Sequence, residues 1–129
     1  DALENIINSF FEIKHNHIYT IIGCGGNRDK TKRPIMARIA TKLSDYVFFT
    51  SDNPRDEEPI VIIEDMIENL DFKNYEIEEN RAIAIMKGIQ KCDKSDILLV
   101  LGKGHEEYQI IKGNKIHFSD REIIEDLIK

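Results

Sequence analysis

The chain has 129 residues, of which 41% are hydrophobic and 33% charged, a balance typical of one soluble globular domain. Its formal net charge of -6 argues against a general nucleic-acid binder, and no apolar run approaches the ~20 residues of a membrane helix. We therefore expect neither nucleic acid nor a membrane as a partner. Cys24 and Cys92 lie far apart without a C-x-x-C motif, and no signal peptide is visible. A reducing, cytoplasmic setting fits best, and a disulfide between the two cysteines is an alternative that the sequence does not decide.

The apolar spacing predicts alternating helices and strands in the first half of the chain. Residues 2–14 fit an amphipathic helix and residues 17–23 a short buried strand. After a glycine-rich loop, residues 34–43 fit a second helix. Pro34 is tolerated in its first turn, where the missing N–H has no intrahelical partner to lose. Residues 46–50 (YVFFT) fit the second strand.

The same alternation continues in the next segment. Acidic residues 56–58 suit the positive end of a third helix. The predicted buried stripe of that helix comprises Ile60, Ile63, Ile67 and Leu70. Asn80 is a suitable N-cap for a fourth helix over residues 81–92. Residues 96–102 fit the third and most apolar strand.

The last segment predicts a hairpin and a helix. Residues 108–118 fit a hairpin that turns at residues 113–114, and Ser119 with Glu122 fits a capping box before a helix over residues 121–129. Strands that alternate with helices imply βαβ units. We therefore predict an α/β, Rossmann-like domain with a mainly parallel sheet, flanking helices and a C-terminal hairpin.

Polar or glycine-rich segments follow each of these predicted strands. Residues 23–30 (GCGGNRDK) follow the first strand, residues 51–55 (SDNPR) the second and residues 102–106 (GKGHE) the third. If the strands are parallel, these segments open on one edge of the sheet, where ligands bind in open α/β sheets. The sequence therefore predicts one binding site built from all these loops.

The side chains of these loops suit a zwitterionic ligand. Arg28 and Arg55 can fork onto carboxylates, whereas Asp52 and Glu106 can accept hydrogen bonds from an ammonium group. Pro54 fixes its own φ and biases the residue before it toward extended geometry, which stiffens the loop. This combination points to the head group of an amino acid.

The same loop residues have plainer interpretations. Gly102 and Gly104 let a backbone approach a ligand, but G-K-G-H-E is equally a strand exit with an exposed histidine. Residues 23–26 and residues 52–54 are equally ordinary turns. A solvated basic patch is the better interpretation for Lys32. The same interpretation, a solvated basic patch, is an alternative for all the basic residues of this segment, which are Arg28, Lys30, Lys32 and Arg33.

Several sharper motifs are absent from the sequence. There is no G-x-x-x-x-G-K-[ST] phosphate-binding loop, and Arg28 stands where a dinucleotide-binding G-x-G-x-x-G motif has its third glycine. Cys24 has no sequence neighbour that would activate it, so we predict a small packing residue rather than a nucleophile. Neither residues 15–17 (H-N-H) nor residues 105–106 (H-E) form a recognisable metal site, and no metal is predicted.

In combination, these motifs resemble the C-terminal domain of the Mur ligases. The resemblance covers nearly the whole chain and rests on segments 23–36 (GCGGNRDKTKRPIM), 50–59 (TSDNPRDEEP), 102–109 (GKGHEEYQ) and 117–122 (HFSDRE), in that order. D-N-P-R is the most specific element. It is similar to the signature of the MurE-type ligases that take meso-diaminopimelate, whereas lysine-adding relatives generally lack its arginine.

The resemblance implies an ATP-dependent ligase of three domains that acts in peptidoglycan synthesis. An N-terminal domain would hold the UDP end of a UDP-N-acetylmuramoyl dipeptide, and a central domain would carry the P-loop and the Mg²⁺ ligands. Residues 1–129 would be the C-terminal domain, which presents the incoming amino acid. ATP would phosphorylate the terminal carboxyl of the dipeptide, and the amine of the amino acid would attack that acyl phosphate.

Site residues also follow from the resemblance, by matching motif positions. The residues implied to bind diaminopimelate are Arg28, Asp52, Asn53, Arg55, Gly102 and Glu106. Arg55 and Asp52 would discriminate the distal amino-acid head, which lysine lacks as a full zwitterion. Lys30 would be a further carboxylate or phosphate contact. Neither a catalytic residue nor a metal or ATP site is implied within this chain, so we expect no ligase activity from it alone.

The chain departs from the family pattern at its start. The family's C-terminal domain normally begins with a strand that ends in an Asp-Tyr-Ala-His-type motif, which is absent, so we expect the chain to be a fragment of a longer protein. One alternative is the C-terminal domain of a folylpolyglutamate synthase-like amide ligase, against which D-N-P-R and G-K-G-H-E argue. Another is a stand-alone amino-acid-binding regulatory domain, against which the missing strand argues. Meso-lanthionine, with the same two heads, stays open as the ligand.

Overall fold

A parallel sheet forms the centre of the computed structural model, which describes residues 2–103 and 106–128. Its four strands are β1 (Ile18–Ile22), β2 (Tyr46–Phe49), β3 (Tyr75–Ile77) and β4 (Ile97–Leu101), in the order β3-β2-β1-β4. All neighbouring pairs are parallel, with Ile18 opposite Ile97 and Tyr19 opposite Tyr46. The predicted α/β fold with a mainly parallel sheet is confirmed.

Helices cover both faces of this sheet. On one face, α2 (Lys32–Leu43) packs between α1 (Ala2–Phe11) and α3 (Pro59–Ile67). On the other face, α4 (Arg81–Lys91) packs against α5 (Asp120–Leu127). None of the helices that the structure describes is long and apolar enough to cross a membrane.

Alternating residues of each strand supply the two cores. Ile22 and Phe49 belong to the core beneath α1, α2 and α3, whereas Ile21 and Phe48 belong to the core beneath α4 and α5. Successive side chains of a strand point to opposite faces, so a strand that is covered twice has to be apolar throughout. This requirement explains the continuous apolar runs in β1 and β2 and the ease of predicting both strands.

The strand β3 was not predicted from the sequence. It has three residues at the edge of the sheet, and Ile77 is 36% exposed, so no apolar run marks it. It is held by backbone pairing to β2 and by the preceding Asn74, whose Nδ2 donates to the carbonyl oxygens of Thr41 and Ser44, each at 2.9 Å. Long-range polar contacts therefore fix this strand, and they leave little signal in the local sequence.

The predicted hairpin is present, but it turns one residue earlier than predicted. Its strands are β5 (Tyr108–Ile111) and β6 (Asn114–His117), and Asn114 pairs with Ile111 instead of occupying the turn. The turn residues are Lys112 and Gly113, with φ of 49° and 80°. Tight hairpin turns of type I′ need positive φ at both central residues, and this geometry selects the position of the turn.

Helix ends and helix faces differ from the prediction in detail. The first helix ends at Phe11 rather than at residue 14, and the second begins at Lys32 rather than at Pro34. Ile60, predicted to be buried, is 38% exposed. Ile63 is buried as predicted, together with Ile62 and Met66, and the predicted Ile67 and Leu70 are partly buried against the same core. The apolar residues of this short helix fit more than one stripe, and packing against α2 selects one of them.

Both predicted N-caps are present. Asn80 Oδ1 accepts a hydrogen bond from the backbone N of Ile83 at 3.1 Å, and Ser119 Oγ accepts one from Glu122 N at 3.3 Å. The carboxylate of Glu122 pairs with the ring of His117, so only one arm of the predicted capping box is made. The caps fix the starts of α4 and α5 near the carboxyl edge of the sheet.

Candidate functional site

The segments that follow β1, β2 and β4 meet at the carboxyl edge of the sheet, as predicted. The backbone N of Gly26 donates to the carbonyl oxygen of Asn53 at 2.7 Å, and a Cβ at Gly102 would lie 3.8 Å from the Asp52 carboxyl group. A cavity of about 390 Å³ opens between these segments. We call it the edge cavity, and its walls include Cys24, Gly25, Arg28, Lys32, Asp52 and Gly102.

Three of the predicted ligand-binding residues line the edge cavity directly. Arg28 is exposed at one wall, Asp52 is buried at another, and Gly102 adjoins Asp52 with φ of 116°. A side chain at Gly102 would be strained, because L residues rarely adopt this φ. The wall thus presents both cationic and acidic side chains, Arg28 and Asp52 together with Lys32, Arg33 and Asp29, as a zwitterionic ligand requires.

Asp52 is a buried carboxylate next to a buried cation. Lys103 Nζ lies 3.1 Å from Asp52 Oδ1, and the side chain of Lys103 is 0% exposed. This contact is an ion pair, and among the described residues Oδ1 has no further hydrogen-bond partner. Burial raises the pKa of Asp52 above its ordinary value, and Lys103 opposes that rise.

Asn53 connects the D-N-P-R loop to the hairpin instead of lining the cavity. Its Oδ1 accepts from Lys103 Nζ at 3.2 Å and from the backbone N of Ile110 at 3.0 Å. Its Nδ2 donates to Glu106 Oε1 at 3.5 Å, and Glu106 also accepts from the hydroxyl of Tyr108. Asn53 and Glu106 therefore form a layer that supports the cavity wall.

Arg55 lies beside the cavity with part of its guanidinium already bonded. Its φ is 54°, and its Nη1 donates to the carbonyl oxygens of Gly26 at 2.9 Å and Asn53 at 3.3 Å. Among the described residues, its Nε and Nη2 have no hydrogen-bond partner. Nη1 lies 2.8 Å from the position that a Cβ would take at Gly25, a residue of the cavity wall. Arg55 is thus within reach of a ligand in the edge cavity.

The glycine-rich loop makes room for the D-N-P-R loop. A Cβ at Gly26 would meet the carbonyl oxygen of Pro54 at 1.9 Å, which no side chain can occupy. The space beside this glycine is thus filled by the chain's own backbone and is no cradle for phosphates. This packing agrees with the missing third glycine of a dinucleotide motif.

The predicted basic patch divides into separate roles. Arg33 is 1% exposed; its guanidinium bonds Asp65 at 2.9 Å, Glu57 at 2.9 Å and the carbonyl oxygen of Gly25 at 3.2 Å. A solvated position is therefore wrong for Arg33. The hydrogen bond from Arg33 is the main cause that lowers the pKa of Glu57 to about 2. Lys30 is largely exposed and lies 3.8 Å from Glu57, outside the wall of the edge cavity.

Two buried cations were missed in the sequence analysis, Lys103 and Arg81. Arg81 donates to both carboxylate oxygens of Asp120, at 2.8 and 2.7 Å. It also donates to the carbonyl oxygens of Ser51 and Leu101, each at 3.1 Å, where two of the site loops begin. The sequence does carry a signal for Arg81, which lies in the first turn of α4. A cation in that position is unfavourable with the helix dipole and needs another partner.

Cys24 packs in the wall of the edge cavity, as predicted. It is 8% exposed, and its Sγ lies 3.7 Å from the Sδ of Met36. Burial raises the pKa of this thiol to about 11, so it is a poor nucleophile at neutral pH. Cys92 is also a free thiol, and the two cysteines form no disulfide.

The histidine motifs do not contribute a described metal site. Within residues 2–103 and 106–128, no cluster of three or more His, Cys, Asp or Glu side chains is placed to hold a metal. His17 pairs with Asp96 at 3.0 Å, at the other end of the sheet. Gly104 and His105 lie outside the described residues, so the predictions that concern them stay predictions.

A larger cavity, of about 570 Å³, lies between the start of α4 and the hairpin. It contains none of the predicted ligand-binding residues. Its polar wall groups include Arg81 and Gln109, and both are already bonded within the protein. Size alone therefore does not identify the candidate site.

Comparisons with known proteins agree with this geometry. The profile of the family described as "Mur ligase, glutamate ligase domain" matches residues 1–104. A UDP-N-acetylmuramoyl-L-alanyl-D-glutamate--2,6-diaminopimelate ligase of Clostridium botulinum is 48% identical over 129 residues, which are 100% of this chain and 27% of that protein. The ligase of the same name in Bacillus cereus is 46% identical over 128 residues, 99% of this chain and 26% of the relative.

A solved structure of a ligase with that name superposes closely on the chain. The TM-score is 0.95 at 35% sequence identity, and the match covers 99% of this chain and 27% of that one. The chain thus spans about a quarter of the length of the proteins it matches. With its parallel sheet, its converging loops and a family match over most of its length, the chain belongs to the Mur ligase family, in the part that carries the C-terminal, glutamate ligase domain.

Proposed function

We propose that this chain is the amino-acid-binding domain of a longer, cytoplasmic, ATP-dependent ligase. That ligase would have three domains and would add meso-diaminopimelate to UDP-N-acetylmuramoyl-L-Ala-D-Glu in peptidoglycan synthesis. The observation that carries the proposal is the edge cavity, which places the exposed Arg28 and the buried Asp52 around one space. The names of the relatives support the same substrate.

Binding in the edge cavity would use complementary charges. Arg28 would bind a carboxylate of the amino acid, and Asp52 would accept hydrogen bonds from an ammonium group. Arg55, with Nε and Nη2 unused by the described residues, would bind the second carboxylate of meso-diaminopimelate. L-lysine lacks that carboxylate and would leave a charged donor without its partner, so this contact favours diaminopimelate.

The role of the domain would be to position the reacting amine. A fixed amine reacts far faster than a free one, because much of the entropic cost of bringing the two reactants together has already been met. Asn53 and Glu106 would support this geometry through their bonds to the hairpin and to Lys103. We assign no acid or base of the amide-forming step to this chain.

ATP and Mg²⁺ would act elsewhere in the intact protein. This chain has no phosphate-binding sequence motif, and the space beside Gly26 is filled by Pro54. We therefore expect no ligase activity from the chain alone. Amide formation by the isolated chain with ATP, Mg²⁺ and the UDP-muramoyl dipeptide would contradict that expectation.

The substitution Arg55→Ala in the intact protein tests the proposal. We expect kcat/KM for meso-diaminopimelate to fall by about tenfold to a hundredfold, the value of one charged hydrogen-bond partner, while KM for ATP stays unchanged. Arg38→Ala, on the exposed surface of α2, is the matched control. An unchanged KM for meso-diaminopimelate would overturn the assignment of Arg55. Equal use of meso-lanthionine would widen the substrate class.

A further inference from the structure

Lys103 is the cation nearest to Asp52, and it is wholly buried. Its Nζ lies 3.1 Å from Asp52 Oδ1 and donates to Asn53 Oδ1 at 3.2 Å and to the carbonyl oxygen of Tyr108 at 2.7 Å. Lys103 is absent from the wall of the edge cavity, whereas Asp52 forms part of it. A buried ammonium that touches the D-N-P-R loop but not the cavity acts on a ligand through other residues.

The two oxygens of Asp52 face different partners. Oδ1 is beside the ammonium of Lys103, whereas Oδ2 lies 3.8 Å from the Cβ position of Gly102, on the cavity wall. One oxygen is thus fixed by the protein, and the other is left for a ligand. A carboxylate held in this way loses little freedom when a ligand binds, which is the benefit of a preorganised site.

We propose that Lys103 is a positioning residue of the amino-acid site, which keeps the Asp52 carboxylate charged and turned toward the edge cavity. This inference rests on the proposed function, because it assigns Asp52 to the ammonium group of the amino acid. It adds a residue that would not touch the substrate and that no motif comparison assigned to the site.

The charges around Asp52 explain why one lysine matters. Lys103 and Arg81 favour the charged form of Asp52, whereas Glu106 opposes it and burial opposes it most. The Cys24 thiol also faces Asp52 and is neutral at working pH. Lys103 is the largest of the opposing influences on the raised pKa, so its loss would raise the pKa of Asp52 further.

The substitution Lys103→Gln in the intact protein tests this inference, since glutamine keeps a donor and removes the charge. We expect kcat/KM for meso-diaminopimelate to fall by about tenfold to a hundredfold. The acidic limb of its pH profile should move upward by about one to three pH units, because protonation of Asp52 abolishes its role. Lys103→Arg should leave the acidic limb where it is in the unsubstituted protein. Lys87→Gln, on the surface of α4, should change neither kcat/KM nor the position of the acidic limb.

If the acidic limb of Lys103→Gln stays in place and kcat/KM falls equally for every substrate, Lys103 has only a structural role. That result would overturn the inference. A double substitution keeps the test valid if Lys103→Gln does not fold. On an Asp52→Asn background, adding Lys103→Gln should cost much less than it costs alone, because only the bonds to Asn53 and Tyr108 are left to lose, and a second full loss would also overturn the inference. Failure of the unsubstituted protein to use meso-diaminopimelate would instead reject the proposed function itself.

Discussion

The two ends of the same parallel sheet differ in where they place their cations. At the carboxyl edge, the side chains of Arg81 and Lys103 are both 0% exposed and are bonded to loops and to carboxylates. At the amino edge, His17 is 53% exposed although its partner Asp96 is 1% exposed, and Lys91 lies over the ring of Tyr46. A buried cation is costly unless its partners are fixed, so the cations of the carboxyl edge should contribute more to stability than those of the amino edge.

The largest expected difference between the two ends concerns stability. Arg81→Met leaves Asp120 without its buried partner and frees two carbonyl oxygens, so we expect the free energy of unfolding to fall by about 3–5 kcal/mol. Lys91→Met at the amino edge should cost less than about 1 kcal/mol, because it removes only an exposed cation–π contact. Denaturant unfolding measures both values, and equal losses would contradict the comparison.

A smaller difference in stability is expected between two glycine substitutions, one that disturbs the packing of a loop and one that only strains its backbone. Gly26→Ala forces a Cβ against the carbonyl oxygen of Pro54, and we expect a loss of about 1–3 kcal/mol together with weaker use of meso-diaminopimelate. Gly113→Ala meets no atom within 4 Å but has φ of 80°, so it should cost about 1 kcal/mol through strain alone. It should leave kcat/KM unchanged. Unfolding curves and kinetics of both variants give the comparison, and unaltered kinetics in Gly26→Ala would contradict it.

The smallest effect is a dependence of stability on pH. Arg33 and the backbone of Asn27 lower the pKa of Glu57 from its ordinary value of 4.5 to about 2. The stabilisation by Glu57 is therefore fully present above about pH 4.5 and is lost as the pH falls toward 2. Glu57→Gln should be less stable than the unsubstituted chain at neutral pH, and the difference should shrink as acid is added. A constant difference for Glu57→Gln would reject the assignment.

Much of this arrangement could be predicted from the sequence. Continuous apolar runs mark β1, β2 and β4, and their parallel pairing brings Arg28, Asp52 and Gly102 to one cavity. The strands are marked by residues that are neighbours in the chain, and the meeting of the loops follows from the parallel direction of the strands. The predictions therefore held where local periodicity and strand direction decide the outcome.

The remaining features depend on partners that are distant in the sequence. Arg81 is paired with Asp120 and Arg33 with Asp65, and no local pattern identifies the partner carboxylate of either arginine. The strand β3 lies at an edge and needs no apolar run, and the turn of the hairpin depends on backbone φ at Lys112. Such features require the folded chain, because only packing decides which charges are buried.

The most direct test of the central claim is an NMR amide titration of this chain with meso-diaminopimelate, with L-lysine as the control. If the edge cavity is the binding site, shifts will be centred on Gly25, Arg28, Asp52 and Gly102, and L-lysine will cause much smaller ones. Shifts confined to the larger cavity beside Arg81, or to the amino edge around His17, would contradict the account. So would an unchanged spectrum at millimolar ligand, because the edge cavity would then not be a preformed site for this amino acid.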